Sequence, residues 1–512
     1  MAYKWRVMIS VLLGIVMFLI DATVINVALA KFQSVYNVDV STVQWVITGF
    51  ALASGVATPM AGYLAERFGK KRIWLTALSV FTLSSILCGL APAFSVLVVG
   101  RVLQGFAGGM LLPIGVSELF AAFPPTERGL ALGFFAIPIV AGPTLGPTLG
   151  GYIVTYSDWR LVFFINTPIG IAAVLLGAIL LVEELPEVAP RFDPIGAVFS
   201  VIGFGTILYG LSRAADDGWG SLKVDALIAI GVSCLIVFAY NEAIRSNPIL
   251  DVRLFAIPEF LIANIVGWVS TVALFGAEFM LPLYLQNLRG LSAVETGILL
   301  MPQGLTAGLV GPIAGRLTDK LGARYIVAFG FCLLALNTWD LSHLTIATSY
   351  GELRWLLAIR GAALGCALQP TQLVALAVVP KRLLTNASSL NNAMRNVFQS
   401  FGIALLGTIV QTRTVSHTVA LSQQVTPTSY TGQFITEAAA ILQLHNSLAP
   451  AQAYATAVML VVGQIRQTAA VLAFGDAYRV TFFAALLAIV LSFLLPGRGA
   501  VKADPSMMGG GH

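Results

Sequence analysis

The sequence predicts an all-α integral membrane protein with about fourteen transmembrane helices. Of its 512 residues, 57% are hydrophobic and 10% are charged, whereas soluble chains carry about 25% charged residues. The mean hydropathy is +0.87. Apolar stretches of about twenty residues, the length that crosses a bilayer, recur along the whole chain. Two distant segments also repeat one motif, which indicates two related halves.

The predicted spans are the long apolar runs, taken in chain order. Basic residues collect in the connections after the second, tenth and twelfth runs, at Lys70–Arg72, Arg316–Arg324 and Lys381–Arg382. An even number of crossings places these connections and both termini on one side, which the positive-inside rule makes the cytoplasm. The net charge of +5 is therefore a topology signal, and we expect no nucleic-acid partner. The spans are 7–29, 42–65, 73–91, 95–121, 129–154, 159–182, 193–213, 223–242, 259–285, 294–315, 325–345, 352–379, 388–411 and 471–496.

An internal repeat predicts how these spans are grouped. Residues 62–71 (GYLAERFGKK) are echoed by residues 315–324 (GRLTDKLGAR), with Gly, Leu, an acid, a base and Gly at identical offsets. Arg101 and Gly105 of the fourth span have partners in Arg360 and Gly365 of the twelfth. Parallel repeats of this kind are typical of transporters that rock about a central site.

The repeat pairs spans 1–6 with spans 9–14 and leaves two spans between them. The predicted units are therefore an N-terminal six-helix half, two linker helices, a C-terminal six-helix half and a flexible tail. The second half includes a long outer loop at about 412–470, whose helical piece 451–464 is apolar enough to lie on the membrane surface or cap the outer mouth. The boundaries are 1–185, 186–257, 258–498 and 499–512.

Five motifs carry a family resemblance that covers nearly the whole chain. The sequence resembles the major facilitator superfamily, and within it the fourteen-span drug:proton antiporters of the EmrB/QacA type. Residues 62–72 are similar to the signature loop after the second helix, although Glu66 stands where aspartate is usual. The other matches are the first-helix motif 19–29, the fourth-helix motif Arg101–Gly105, the exporter motif Gly142–Gly151 and the sixth-helix motif 159–170.

The resemblance implies the major facilitator fold and a proton-coupled antiporter that exports amphipathic or cationic drugs and other small molecules by alternating access. A proton symporter or facilitator and a lipid or metabolite exporter of the same fold are alternatives. The resemblance also implies a multi-pass protein of the bacterial inner membrane, with a possible periplasmic adaptor protein as partner. The energy source is then the proton gradient, and we expect no cofactor.

A membrane enzyme is the alternative from another class. The sequence has no Walker loop, no Gly-x-Ser-x-Gly and no His-Glu-x-x-His motif. The four cysteines lie dispersed within spans without metal-ligand spacing. We therefore expect neither an enzyme nor a metal site.

Ionisable residues inside apolar spans are candidates for proton coupling, because a charge at the centre of a membrane helix costs at least about 2.5–3.5 kcal/mol. Asp21 lies well inside the first span and Glu278 lies at a similar depth in the ninth. Arg101 is a cation of the fourth span that can regulate the charge of Asp21. Its repeat partner, Arg360, is predicted to be structural. The alternative for Asp21 and Arg101 is a static hydrogen-bonding role. Glu278 is a second protonation site or a recognition site for cationic drugs, and its alternative is a helix-end carboxylate wetted by the outer vestibule.

Two further sets of residues have predicted roles. A substrate pocket needs apolar walls with few polar groups, and the central spans offer Asn26, Gln44, Phe275, Phe279, Gln303, Asn337, Gln369, Asn392 and Arg395. The repeated inner loops offer a charge network that locks one conformation, from Glu66, Arg67, Lys71, Asp319 and Arg324. The glycine and proline rows Gly142, Pro143, Gly146, Pro147 and Gly150 predict a bend and a close seam between moving parts.

Overall fold

The computed structural model describes residues 2–183, 193–245, 248–446 and 449–496, and every regular element in these ranges is a helix. Short 3₁₀ turns at Pro125–Glu127, Val252–Ala256 and Lys381–Leu383 and a π turn at Tyr284–Leu288 join some of them. The helices are α1 Tyr3–Tyr36, α2 Val40–Val43, α3 Trp45–Phe68, α4 Lys70–Gly89, α5 Phe94–Ala122, α6 Arg128–Tyr156, α7 Leu161–Phe164, α8 Asn166–Leu180, α9 Pro194–Asp217, α10 Leu222–Ile244, α11 Pro258–Leu283, α12 Ala293–Leu321, α13 Ala323–Leu341, α14 Tyr350–Ala377, α15 Leu384–Gln423, α16 Tyr430–Asn446 and α17 Pro450–Ser492.

Twelve helices of the described ranges are long and apolar enough to cross a membrane. The predicted spans 325–345 and 352–379 correspond to α13 and α14, which are not among the twelve. Much of α14 is buried against other helices, including its polar residues Arg360, Gln369 and Gln372. A helix that faces protein needs fewer apolar residues than one that faces lipid. The count of fourteen spans therefore stays a prediction.

The helices pack as two groups with α9 between them. Helix α1 packs on α5, α6 and α8, and α11 packs on α14, α15 and α17. Helix α9 packs on α10 and also on α3 and α15, one helix from each group. The rings of Trp45 and Tyr209 stack between α3 and α9 at 6.0 Å. Directly after α9, the indole nitrogen of Trp219 donates to Thr408 of α15 at 2.8 Å.

The predicted outer loop at 412–470 is instead largely helical. Helix α15 continues to Gln423, α16 follows, and α17 runs unbroken from Pro450 to Ser492. At about 1.5 Å per residue, α15 and α17 are each roughly 60 Å long, about twice the hydrocarbon thickness. Segment 451–464 is continuous with a spanning helix, so the expectation that it lies on the membrane surface is wrong. Its Ala457 and Val461 pack against Ile435 and Ala439 of α16.

Helices α6 and α12 form the close contact between the two groups. A Cβ atom on Gly315 would lie 2.6 Å from the carbonyl carbon of Gly129, and one on Gly133 would lie 2.7 Å from the Cα of Pro312. Each distance is shorter than an ordinary van der Waals contact. Only glycine therefore permits this approach, as in close membrane helix pairs.

The glycine row of the exporter motif faces a different neighbour. Cβ atoms on Gly142 and Gly146 would lie 2.8 and 2.7 Å from the Cβ atoms of Leu19 and Thr23, both in α1 of the same group. A Cβ on Gly150 would lie 2.9 Å from a side-chain carbon of Val24, also in α1. The row therefore makes its close contact inside one group, whereas Gly151 of the same motif faces Val294 of α12. The role of the row as a bend or seam between moving parts stays a prediction. The side chain of Pro143 lies outside the described residues, and Pro147 lies in the same helix.

Candidate functional site

A fully buried carboxylate lies at the centre of the first group of helices. Asp21 of α1 is 0% exposed. Arg101 of α5 donates from Nη1 to Asp21 Oδ2 at 2.6 Å, and Gln104 donates to Oδ1 at 2.9 Å. Asn166 of α8 donates to the same Oδ1 at 2.6 Å. Two helices, α5 and α8, therefore supply the charge and the donors that a buried carboxylate on α1 requires.

The guanidinium of Arg101 is held on several sides. Its Nε donates to the carbonyl of Val46 in α3 at 3.1 Å, and its Nη1 also donates to Gln104 Oε1 at 2.8 Å. Its Cζ lies 4.1 Å from the ring centroid of Phe50, a distance that favours a cation–π contact. The predicted pairing of Arg101 with Asp21 is present, and the cation is fixed in place by α3.

Sequence reasoning did not assign site roles to Gln104, Asn166 and Ser85. Asn166 also donates to Ser85 Oγ at 3.0 Å, and Ser85 donates to the carbonyl of Phe163 at 2.9 Å. Gln104 and Asn166 lie within the family motifs of the fourth and sixth spans. Their polar amides in apolar runs were the available signal, but only the fold shows that they reach Asp21.

A second cluster occupies the corresponding place in the other group. Gln303 Nε2 of α12 donates to both carboxylate oxygens of Glu278 in α11, at 2.7 and 2.8 Å. Arg360 of α14 lies 3.5 Å from Glu278 Oε2 and donates to the carbonyl of Leu274 at 3.1 Å. Arg360 is therefore the ion-pair partner of Glu278, just as Arg101 is the partner of Asp21. The sequence predicted a structural role for Arg360 and did not indicate this ion pair with Glu278.

Two connected cavities lie beside the second cluster. An apolar chamber of roughly 290 Å³ lies between α6, α11 and α14 and includes Phe275, Glu278 and Leu368 in its walls. A polar recess of roughly 400 Å³ shares Leu368 and extends between α11, α14 and α15. These volumes include open solvent at the cavity mouths. Asp21 lines neither cavity, so the buried cluster and the cavities are separate.

The cavities include only part of the predicted substrate set. Phe275 and Arg395 line them, and Gln303 contacts them through Glu278. Asn26 and Gln44 are exposed and line neither cavity. The remaining polar residues are buried: Asn337 donates to the carbonyl of Leu356, Asn392 donates to that of Ser388, and Gln369 is 2% exposed. The side chain of Phe279 lies outside the described residues.

The predicted charge network crosses between the groups at Asp319. Its Oδ1 accepts from the backbone nitrogen of Gly129 at 2.8 Å, and its Oδ2 accepts from that of Leu130 at 3.1 Å. These donors belong to the first turn of α6, where free amides and the helix dipole favour an anion. Asp319 therefore fastens α12 to the beginning of α6.

The other residues of that network make contacts within their own group. Lys71 donates to the carbonyls of Ala178 and Leu181 at the end of α8, at 2.7 and 2.6 Å. Arg324 donates to the carbonyl of Leu495, just after α17, at 2.9 Å. Carbonyls at helix ends satisfy these two cations locally, so neither forms an ion pair with an acid of the predicted network in the described structure. The role of the network in locking one conformation stays a prediction. Arg67 donates to Tyr63 at 3.0 Å, and Glu66 Oε1 is buried without a hydrogen-bond partner in the described structure.

Further contacts close the same end of the bundle, which carries the basic connections and is called the basic end below. Ser117 of α5 and Thr385 of α15 share a hydrogen bond of 2.6 Å. A Cβ on Gly62 of α3 would lie 2.9 Å from the Cα of Asn386. Together with Asp319, these contacts join the two groups at the basic end.

Comparisons with known proteins agree with this architecture. Residues 11–403 match the family described as Major Facilitator Superfamily. The chain is 31% identical over 422 residues to the multidrug export protein EmrB of Escherichia coli strain K12, covering 82% of each chain. It is 32% identical over 410 residues to the uncharacterized MFS-type transporter YhcA of Bacillus subtilis strain 168, covering 80% of this chain and 77% of that protein.

Solved structures share the fold at low sequence identity. The human organic anion transporter MFSD10 superimposes with a TM-score of 0.59 at 12% identity, covering 94% of this chain and 99% of that chain. The proton:xylose symporter XylE gives a TM-score of 0.59 at 17% identity, covering 97% of this chain and 96% of that chain. At these identities the similarity concerns the fold alone.

Proposed function

The chain belongs to the Major Facilitator Superfamily, and from that premise we propose that it is a proton-coupled antiporter that exports amphipathic or cationic small molecules, drugs among them. Family membership and its many candidate spanning helices make it a multi-pass membrane protein, and they support a transporter rather than an enzyme. The named export function of EmrB, at 31% identity, supports drug export. The observation that carries proton coupling is the buried cluster around Asp21.

The chemistry of coupling follows from the burial of Asp21 and Arg101. The two side chains are 0% and 1% exposed and form an ion pair at 2.6 Å. Protonation of Asp21 removes one charge of that pair and leaves Arg101 uncompensated, a state that is strongly unfavourable in a buried site. A proton can reach Asp21 only after the helices around it separate. Proton exchange and helix movement are therefore linked in this proposal.

Glu278 is the proposed link between the proton and the substrate. It lines the apolar chamber, and its side chain is 22% exposed. A cationic substrate in the chamber would compete with Arg360 and with a proton for this carboxylate. The walls Phe275 and Leu368 suit the apolar body of such a substrate.

The membrane supplies the energy in this scheme. A proton that crosses it gains about 2.3 kcal/mol per 100 mV and about 1.4 kcal/mol per pH unit. We propose that the basic end faces the cytoplasm of a bacterium, by the positive-inside rule. The helical segment formed by α16 and the outer parts of α15 and α17 is then the proposed contact for a periplasmic adaptor.

Proteoliposomes test this function directly. Vesicles with an acidic lumen and trapped pyranine receive ethidium, a cationic amphipathic probe, on the outside. The wild type should exchange ethidium for protons and make the lumen alkaline, whereas Asp21→Asn should bind ethidium without this response. Asp340→Asn, a change at an exposed aspartate, should behave as the wild type.

The same assay separates the alternatives. Acidification of the lumen on ethidium addition would indicate symport. Normal alkalinisation by Asp21→Asn would show that Asp21 does not carry the proton, and Glu278→Gln would then be the next variant.

A further inference from the structure

The polar recess contains a cation without a counter-ion. Arg395 of α15 lines it, and no carboxylate of the described ranges forms an ion pair with Arg395. Its Nε is buried and has no hydrogen-bond partner within the described part of the chain. Arginine stays charged in proteins. The other two buried arginines discussed above differ, since Arg101 pairs with Asp21 and Arg360 pairs with Glu278.

Two further unsatisfied donors line the same recess. Trp268 Nε1 and Gln372 Nε2 are buried without partners among the described residues, and Gln372 is 6% exposed. All three unsatisfied groups in the recess are N–H donors, whereas buried donors in proteins nearly always have an acceptor. By contrast, the recess amides Asn264 and Asn391 bond to each other at 3.1 Å. Oxygen acceptors from outside the chain, either water or a ligand, would satisfy these donors.

The surroundings define the rest of the ligand. Trp268 stacks on Phe398 with ring centroids 4.9 Å apart, which gives the recess an aromatic wall. Leu368 belongs to both the recess and the apolar chamber. Among the described residues that line the two cavities, Glu278 is the only carboxylate, and it is already held by Gln303 and Arg360. The uncompensated charge in the cavities is therefore positive.

We propose that this recess binds the acidic group of amphipathic organic acids, with the carboxylate on Arg395, Gln372 and Trp268 and the apolar body towards Leu368 and the chamber. The inference rests on the proposed export function and adds an acidic class to its substrates. Arginine suits a carboxylate because its N–H groups can donate in parallel to both oxygens.

Three matched probes test it: 2-naphthylacetate, the neutral 2-naphthylacetamide and the cationic 2-(2-naphthyl)ethylamine. Binding is measured on full-length protein in nanodiscs. The wild type should prefer naphthylacetate to the amide, and Arg395→Gln should weaken naphthylacetate binding by about 10- to 100-fold, the range of one charge-assisted hydrogen bond. Arg395→Lys should retain part of the affinity, and Gln372→Ala should lose less than Arg395→Gln. Arg466→Gln, which removes an exposed arginine, should leave all three affinities unchanged.

Three results would overturn the proposal. The first is equal binding of the acid and the amide by the wild type, and the second is no binding of naphthylacetate up to millimolar concentration. The third result is an equal loss of affinity for all three probes in Arg395→Gln. A thermal melt of Arg395→Gln that matches the wild type shows that the variant is folded. Wild-type exchange of ethidium for protons together with equal binding of acid and amide would overturn the acid site alone, so failed proton coupling and a failed acid site give different results.

Discussion

Substitution of Gly315 by alanine should open the basic end of the bundle. The added Cβ would lie 2.6 Å from the carbonyl carbon of Gly129 and 3.1 Å from the Cα of Leu130, whereas ordinary contact begins at 3.4 Å. These are backbone atoms and cannot turn aside, so α6 and α12 must separate by about 1 Å. That movement stretches the two hydrogen bonds from the α6 backbone to Asp319, which are 2.8 and 3.1 Å long.

The energy of this change can be worked from those contacts. Two hydrogen bonds to a charged group contribute about 1.5–3 kcal/mol each. The better helix propensity of alanine does not enter this balance, because α12 is helical in both the closed and the open state. Both hydrogen bonds are stretched rather than abolished, so the closed state loses at least roughly 2 kcal/mol, and the open population rises about twentyfold or more, since 1.4 kcal/mol corresponds to tenfold.

Thiol labelling measures the opening. Ser117 is 0% exposed at the contact with α15. A Ser117→Cys reporter therefore reacts only when the basic end opens. The reporter is placed in a background that lacks the native cysteines Cys88, Cys234, Cys332 and Cys366. N-ethylmaleimide should modify this reporter about twentyfold faster in Gly315→Ala. Gly308→Ala is the matched control, because its Cβ would lie 3.7 Å from Ile137 across the same helix pair, an ordinary contact.

Two results would refute this reasoning. Unchanged labelling of the reporter in Gly315→Ala would show that the helix pair absorbs the Cβ without separating. Faster labelling of a cysteine placed at Ala363, which is 0% exposed inside one group, would show general loosening rather than opening between the groups.

Other contacts lead to two further predictions. Arg101→Lys replaces the planar guanidinium with a single ammonium, which cannot donate to both Asp21 and the α3 carbonyl. Proton-coupled ethidium transport by this variant should therefore fall about tenfold or more. Its ethidium binding should be unchanged. A wild-type rate in the pyranine assay would contradict it. Ala457→Asp places a charge in the buried contact between α16 and α17 and should separate these helices. Chymotrypsin should then cleave after Phe434 of α16 about tenfold faster than in the wild type. Cleavage equal to that of the exposed control Ala451→Asp would contradict it.

Several parts of the site were accessible from the sequence because they are exceptions to a strong local rule. Charged residues are so costly in apolar spans that Asp21, Arg101 and Glu278 stand out without any structure. The internal repeat also identified Arg360 as the counterpart of Arg101 in the second half. It did not indicate that Arg360 pairs with Glu278, because these two residues are distant in the chain and belong to different helices.

Patterns of spacing predicted faces of helices but not their neighbours. The row from Gly142 to Gly150 does form a close helix contact, yet it faces α1 rather than the opposite group. Gly129 and Gly315 do meet between the groups, and each is part of a Gly-x-x-x-Gly pair, with Gly133 and Gly311 respectively. Spacing alone did not show that these two pairs face each other, because α6 and α12 are far apart in the chain. The extension of α15 and α17 beyond the predicted spans was missed, because hydropathy detects lipid contact and not helix length.

By itself the sequence determined that this protein crosses a membrane many times, that it has a repeated organisation, and which ionisable groups lie in its spans. Those properties depend on the composition of continuous segments, which hydropathy and helical periodicity capture. Only the tertiary structure decided which donors reach Asp21, which glycines close the basic end and which unsatisfied donors meet at Arg395. These contacts join side chains from segments far apart in the chain, and only helix packing determines their distances.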